Sequence, residues 1–465
     1  MNVPVVRSLV GGALASIVLL GLAAPAWAVP SYARQTGMAC STCHTVFPEL
    51  TPFGREFKLN GYVLDNMKQI RGITIERQET LSLNSIPPIS AMLQVSYTHT
   101  QMAVPDSVAA NAANGALARD GDLLFPQQAS LFYAGKIADG LGAFLQLTYD
   151  GAADHFGFDN TDVRFAHHLA LSGASDNDLI LGLTLNNNPT VQDAWNSTPA
   201  WGFPFAGSNV APTPAAATQI DGTIGQNAGG LGGYLWWNHS IYAELSAYTA
   251  SKVGGSHPLD SSQGPALHGL NPYWRLGWET RWDQNALFLG TYGIEAHIQP
   301  GGVAGTLGGE TDKYTDYAVD GQYQYITDDH ILTVLGTYIH EKQRLDASSQ
   351  FGLSQNVDDT LNTMKLAANY YYRREIGGAV GFFNTIGTAD NLLYPAGVPV
   401  TGSSSGAPNS RGFIFEVNYL PFLNVKLQLQ YVKYLKFNGA TTDYDGVGRR
   451  AADNNTVYLL GWFNF

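Results

Sequence analysis

The chain has 465 residues, of which 14% are charged, and a formal net charge of −13, a balance that argues against nucleic-acid binding and mildly favours cationic solutes. Its length allows two or three ordinary domains or one barrel. With 51 glycines, 24 tyrosines, 21 phenylalanines and a mean hydropathy of −0.08, it suits a protein whose strands alternate between apolar and polar residues. No Ser/His/Asp triad, phosphate-binding loop or metal cluster stands out as a local motif, so hydrolase chemistry is disfavoured.

In chain order, Arg7 precedes an apolar run from Leu9 to Leu22, and Ala26-Trp27-Ala28 supplies small residues where a signal peptidase cuts. The run is too short for a membrane anchor, which needs about twenty apolar residues. Residues 1–28 therefore read as a secretory signal, with the mature chain starting at Val29.

The only two cysteines stand in Cys40-Ser41-Thr42-Cys43-His44. That spacing is the attachment signature of a c-type haem: two thiols on one turn reach the two vinyl groups, and the adjacent imidazole reaches the iron. Cys40 and Cys43 are expected to carry the haem covalently, with His44 as proximal ligand. A zinc site would need a second ligand pair, which is lacking. Export agrees with the motif, because c-type haem is attached outside the cytoplasm.

Thr51 as cap, Pro52 at the first helical position and Gly61 as a left-handed stop predict a short helix from about Pro52 to Asn60. Phe53 and Phe57 would share one face, with Phe47 nearby, as packing against a porphyrin. Arg34, Arg55 and Lys58 are nearby charges that read as surface groups or propionate partners. The sixth ligand is open: Met67 is the nearest downstream sulfur, Met38, Met92, His99 and Met102 are alternatives, and a five-coordinate iron is a further one. Residues 29–64 form this haem segment, and 65–88 read as a linker with one short element.

From 89 to 465 the period is two. Val425, Leu427, Leu429, Tyr431, Leu435 and Phe437 face one way, and Lys426, Gln428, Gln430, Tyr434 and Lys436 the other. Leu141, Ala143, Leu145, Leu147 and Tyr149 alternate with Gly142, Gln146 and Thr148, with Phe144 breaking the polar set. Strands are expected near 89–101, 127–137, 141–150, 160–171, 178–186, 229–237, 240–251, 271–282, 286–298, 313–326, 331–344, 360–372, 376–388, 411–420, 423–437 and 455–465. Short turns alternate with long loops near 102–126, 187–228, 252–270, 389–410 and 438–454. A sandwich has no reason to sort its loops, whereas a transmembrane antiparallel β-barrel of about sixteen strands places its short turns in the periplasm. Both termini then lie in the periplasm. The last strand presents Val457, Leu459, Gly461, Phe463 and Phe465 on one face, like a barrel insertion signal. Trp236, Trp237, Trp274, Trp278 and Trp462 are girdle candidates, some of them lumen fillers. Asp316, Asp320, Gln322 and Gln324 share a lumenal face, and Asp443, Asp445 and Asp453 lie in a loop where they would attract cations.

The chain resembles the fused outer-membrane cytochrome–porins of iron-oxidising bacteria. The resemblance rests on 30–37, the CSTCH motif, 53–58 and Gly61-Tyr62, and on 186–193 with Trp201-Gly202-Phe203-Pro204. It implies one haem c and transfer of electrons from extracellular ferrous iron to a periplasmic carrier, such as a soluble cytochrome c or a copper protein. An outer-membrane lipid environment and an oligomer are further expectations. The alternatives are a solute-conducting porin whose haem segment is a plug or periplasmic handle, and an outward electron conduit.

Overall fold

A computed structural model describes residues 31–72, 74, 75, 78, 79, 82–105, 108, 121–170, 178–250, 266–300 and 310–465. The secretory signal and parts of the linker and outer loops lie outside them.

Sixteen long antiparallel strands close into a barrel. They are β1 Ile89–Thr100, β2 Asp122–Ala138, β3 Leu141–Asp150, β4 His155–Ala170, β5 Asp178–Asn186, β6 Ala228–Trp237, β7 Ile241–Ala250 and β8 Asn271–Trp282. They continue as β9 Asn285–Gln299, β10 Asp312–Ile326, β11 His330–Arg344, β12 Asp358–Tyr372, β13 Ile376–Gly387, β14 Ser410–Phe422, β15 Val425–Lys436 and β16 Thr456–Asn464. A two-residue piece, Ala266–Leu267, adds a minor pairing with β9. The ring closes where β16 pairs with β1, with Asn464 opposite Met92 and Thr456 opposite Thr100.

Each strand turns its polar residues inward. On β15, Lys426, Gln428 and Gln430 are buried, whereas Leu427, Leu429 and Tyr431 are exposed. Leu231, Leu245, Leu276, Val319 and Val417 are likewise exposed on the outside. Polar inside and apolar outside is stable only with lipid around the wall, so the protein is an outer-membrane barrel of a bacterial cell. No helix among the described residues is long and apolar enough to cross a membrane.

The structure departs from the expected pattern at three places. β2 begins at Asp122, not near 127, because the register slips between Gln94 and Ser96 opposite Pro126, so the proline sits where no ladder bond is required. Phe437 is not on the lipid face: it lies past the end of β15 and is buried against Tyr434 and Tyr444. The stretch expected to be a linker instead holds two short antiparallel pairs, Gln69–Arg71 with Ser82–Asn84 and Thr74–Ile75 with Gln78–Glu79. Loop sorting also has one exception, since β3 and β4 are joined on the long-loop side by 151–154 alone.

Candidate functional site: a lumen filled from two directions

The N-terminal segment occupies the lumen at the short-turn end. Helix α1 (Ser31–Thr36) lies on β2 and β3, with the Ser31 hydroxyl and the Gln35 amide both donating to the Ala134 carbonyl and the Tyr32 hydroxyl donating to Ala143. Helix α2 (Cys40–Cys43) is a single turn, and α3 (Pro52–Leu59) follows after an extended excursion. The expected cap is in place, with Thr51 Oγ1 accepting from the Gly54 amide at 3.1 Å.

Two glycines make this packing possible. A Cβ on Gly54 would stand 2.1 Å from the Cys43 carbonyl oxygen, so α3 can lie on α2 only without a side chain there. Gly61 has φ +68° and ends the helix within reach of the Gly140 carbonyl in the β2–β3 turn. The Tyr234 hydroxyl donates to the Leu59 carbonyl at 2.6 Å, so the wall satisfies one orphan acceptor of the helix end.

From the opposite direction the long connection between β5 and β6, residues 187–227, folds inward. Trp195 is fully buried, stacks on Phe288 with ring centroids 4.0 Å apart and donates its indole N–H to Glu279. Asp193 pairs with Arg275 at 3.0 Å, and Arg275 also reaches Asp320 at 2.8 Å. Arg164 on β4 pairs with Asp162 and donates to the Gln192 carbonyl.

The segment and the inward loop also grip each other. Lys58 Nζ donates to the carbonyls of Val191 at 2.6 Å and Asp193 at 2.7 Å, and lies 4.9 Å from the centre of the Trp201 ring. The Leu50 amide donates to Asn196 Oδ1. Arg55 is buried against the wall, bonded to Glu279, Gln322 and Gln324. Thus Arg55 and Lys58 are lumenal anchors and not surface charges, and Asp320, Gln322 and Gln324 clamp the filling instead of lining open water. Burial pushes the Lys58 ammonium down to about 7, with Arg164 adding to the shift.

Between segment, loop and wall remains a cavity of about 430 Å³, bordered by Cys40, Cys43, His44, Phe47, Phe57 and Trp201 among others. Trp462 joins this wall, edge-on to Phe47, so it and the buried Trp236 are lumen fillers, while Trp237 and Trp278 are exposed as a girdle requires. Phe144 breaks the polar pattern of β3 because it packs edge-on to Trp201. Phe53 is not part of the cavity wall. Met67 is not either: it is buried with Phe57 and Tyr62, and its sulfur accepts from the Leu64 amide at 3.3 Å. Met38 and Met92 do border the cavity, while Met102 and His99 are exposed.

The covalent haem expected here is corrected. Among the described residues no three His, Cys, Asp or Glu side chains gather into a group that could hold a metal ion, and the sulfur named as sixth ligand packs away from the cavity. Both cysteines are free thiols, and burial raises them, Cys43 to about 11, so they are protonated at neutral pH. Burial likewise lowers the His44 imidazole, against backbone hydrogen bonds at Pro48 and Glu49. The loop carboxylates expected to attract cations are engaged: Asp445 accepts from the Val400, Val447 and Arg449 amides, Asp443 from Gly448, and Asp453 from Arg450.

No family pattern and no curated protein matches the chain. Solved structures similar in fold include a loop L8 deletion mutant of OmpT, an outer membrane protein of Vibrio cholerae, with 10% identity and a TM-score of 0.44 over 81% of this chain and 98% of that one. The outer membrane channel DcaP of Acinetobacter baumannii matches at 10% and 0.44, over 81% and 96%. An anion-selective porin from Comamonas acidovorans matches at 14% and 0.41, over 81% and 98%. The assignment as an outer-membrane barrel stands on the closed ring and its apolar exterior.

Proposed function

We propose that the protein is a solute-conducting porin whose lumen is narrowed by its own N-terminal segment and by the inward loop. The observation that carries this reading is the lumen itself, a polar and charged interior through an otherwise sealed wall. Among the described residues the strands bury Asp162, Glu244, Glu279, Asp312, Asp316, Asp320, Glu341, Asp359 and Glu416, but only Lys136, Arg164, Arg275 and Lys426 as cations. An excess of fixed negative charge favours cations in a narrow pore. The porin half of the sequence resemblance is retained. Transfer of electrons from ferrous iron to a periplasmic carrier has no cofactor to run on once the haem is set aside.

The test is conductance and reversal potential in planar bilayers under a salt gradient. Wild-type protein is expected to give small, cation-preferring steps, and the Arg55→Met, Lys58→Met double variant larger ones. Correctly inserted barrels that stay silent in both forms would remove the porin reading.

A further inference from the structure

Residues 218–221 of the inward loop rest on two strand carboxylates that form no ion pair with a cation among the described residues. Asp316 on β10 and Glu341 on β11 are direct register partners, 1% and 0% exposed, and their carboxyl groups are close enough to interact. The loop meets them with its backbone: the Ile220 amide donates to Asp316 Oδ2 at 2.9 Å, and the Gln219 amide donates to Glu341 Oε2. The basic side chain that meets this part of the loop goes elsewhere, since Lys365 pairs with Asp221 at 2.6 Å.

What this cluster leaves unsatisfied is a set of oxygen atoms, each with lone pairs to offer. Asp316 Oδ1, Thr218 Oγ1 and Gln219 Oε1 are all buried and have no hydrogen-bond partner. Thr218 is fully buried, and it directly precedes the two amides that hold the carboxylates. Gln343 Nε2 also donates to Glu341 Oε1 at 2.6 Å, but among the described residues no partner reaches the three orphaned oxygens, and a cation beside the buried carboxyl pair would satisfy them.

We propose that Asp316 and Glu341 bind one hard divalent cation of the Ca²⁺ class, with Thr218 and Gln219 supplying neutral oxygens. Calcium takes six to eight oxygen ligands in irregular geometry, and water completes the shell that two carboxylates and two side-chain oxygens begin. The ion ties loop to wall, and with two carboxylates the site is one short of the three-acid clusters by which metal sites are usually noticed. The inference does not depend on the porin reading.

Equilibrium dialysis of ⁴⁵Ca²⁺ against full-length, detergent-held, chelator-treated protein tests it, with folding checked by the heat-dependent gel shift of closed barrels. The expected result is one equivalent bound to wild type, at least tenfold weaker binding in Asp316→Asn and in Glu341→Gln, and unchanged binding in Asp443→Asn. Folded wild type that binds no Ca²⁺, or an Asp316→Asn protein that binds it as before, would overturn the proposal and leave the pair sharing a proton. The wild-type measurement decides the matter even where a variant fails to fold.

Discussion

At the scale of single residues, the lumen is governed by charges that sequence reading places at the surface. Arg55 holds Glu279, Gln322 and Gln324 at once, and charged hydrogen bonds of this kind contribute roughly 1.5–3 kcal/mol each. Arg55→Met is therefore expected to weaken docking of the N-terminal segment by about 2–3 kcal/mol, because Glu279 keeps Arg281 and the Trp195 indole as partners. Protease susceptibility of the segment in an intact barrel measures this directly. Lys58 adds a pH dependence. Its pKa falls from the usual 10.5 to about 7 on docking, so the docked state holds fewer protons between those limits, and docking strengthens as pH rises from 7 towards 10. Cleavage of the segment should accordingly be faster at pH 7 than at pH 9, and Lys58→Met should abolish the difference. Neither residue was legible as an anchor, because a lysine or arginine on a short helix carries the same pattern whether water or a barrel wall faces it.

At the scale of elements, the strands were readable and the filling was not. Alternation survives in sequence because lipid and lumen impose opposite demands on successive side chains, and all sixteen expected strands are found, most within two residues of their expected ends. Pro126 and the register slip opposite it hid the first turn of β2. Helix α3 was legible from Thr51, Pro52 and Gly61, since capping is local chemistry. Residues 187–227 were legible only as a long loop: the pairing of Asp193 with Arg275 spans many residues of chain, and no periodicity records it. The close approach of α3 to α2 supplies a prediction. In Gly54→Ala the new methyl would stand 2.1 Å from the Cys43 carbonyl oxygen, so α3 must lift away. The expected outcome is a barrel with a normal heat-dependent gel shift whose N-terminal segment is cut by protease at a rate close to that of a chain lacking the segment's anchors.

At the scale of the whole molecule, stability resides in the ring and its lipid surroundings. Leu245 stands at the middle of β7 with 73% of its surface exposed on the outside. An arginine at the bilayer midplane of a barrel costs about 2–4 kcal/mol, so Leu245→Arg should lose that much in guanidine-induced unfolding from lipid vesicles. A lumenal change such as Gln428→Leu should alter conductance while leaving the unfolding midpoint closer to wild type.

The N-terminal segment holds a six-residue helix, a single-turn helix at its centre and an eight-residue helix after it, lengths at which an isolated helix is marginal in water. Before the ring forms, this stretch has nothing to fold against, and Cys40 and Cys43 stand in open solution; afterwards both are partly enclosed. The two thiols therefore keep time. A brief pulse of maleimide during biogenesis would mark chains still in transit faster than those already seated, where both thiols are half-buried, so that the slowly labelled fraction reads out how fast the membrane receives its barrels.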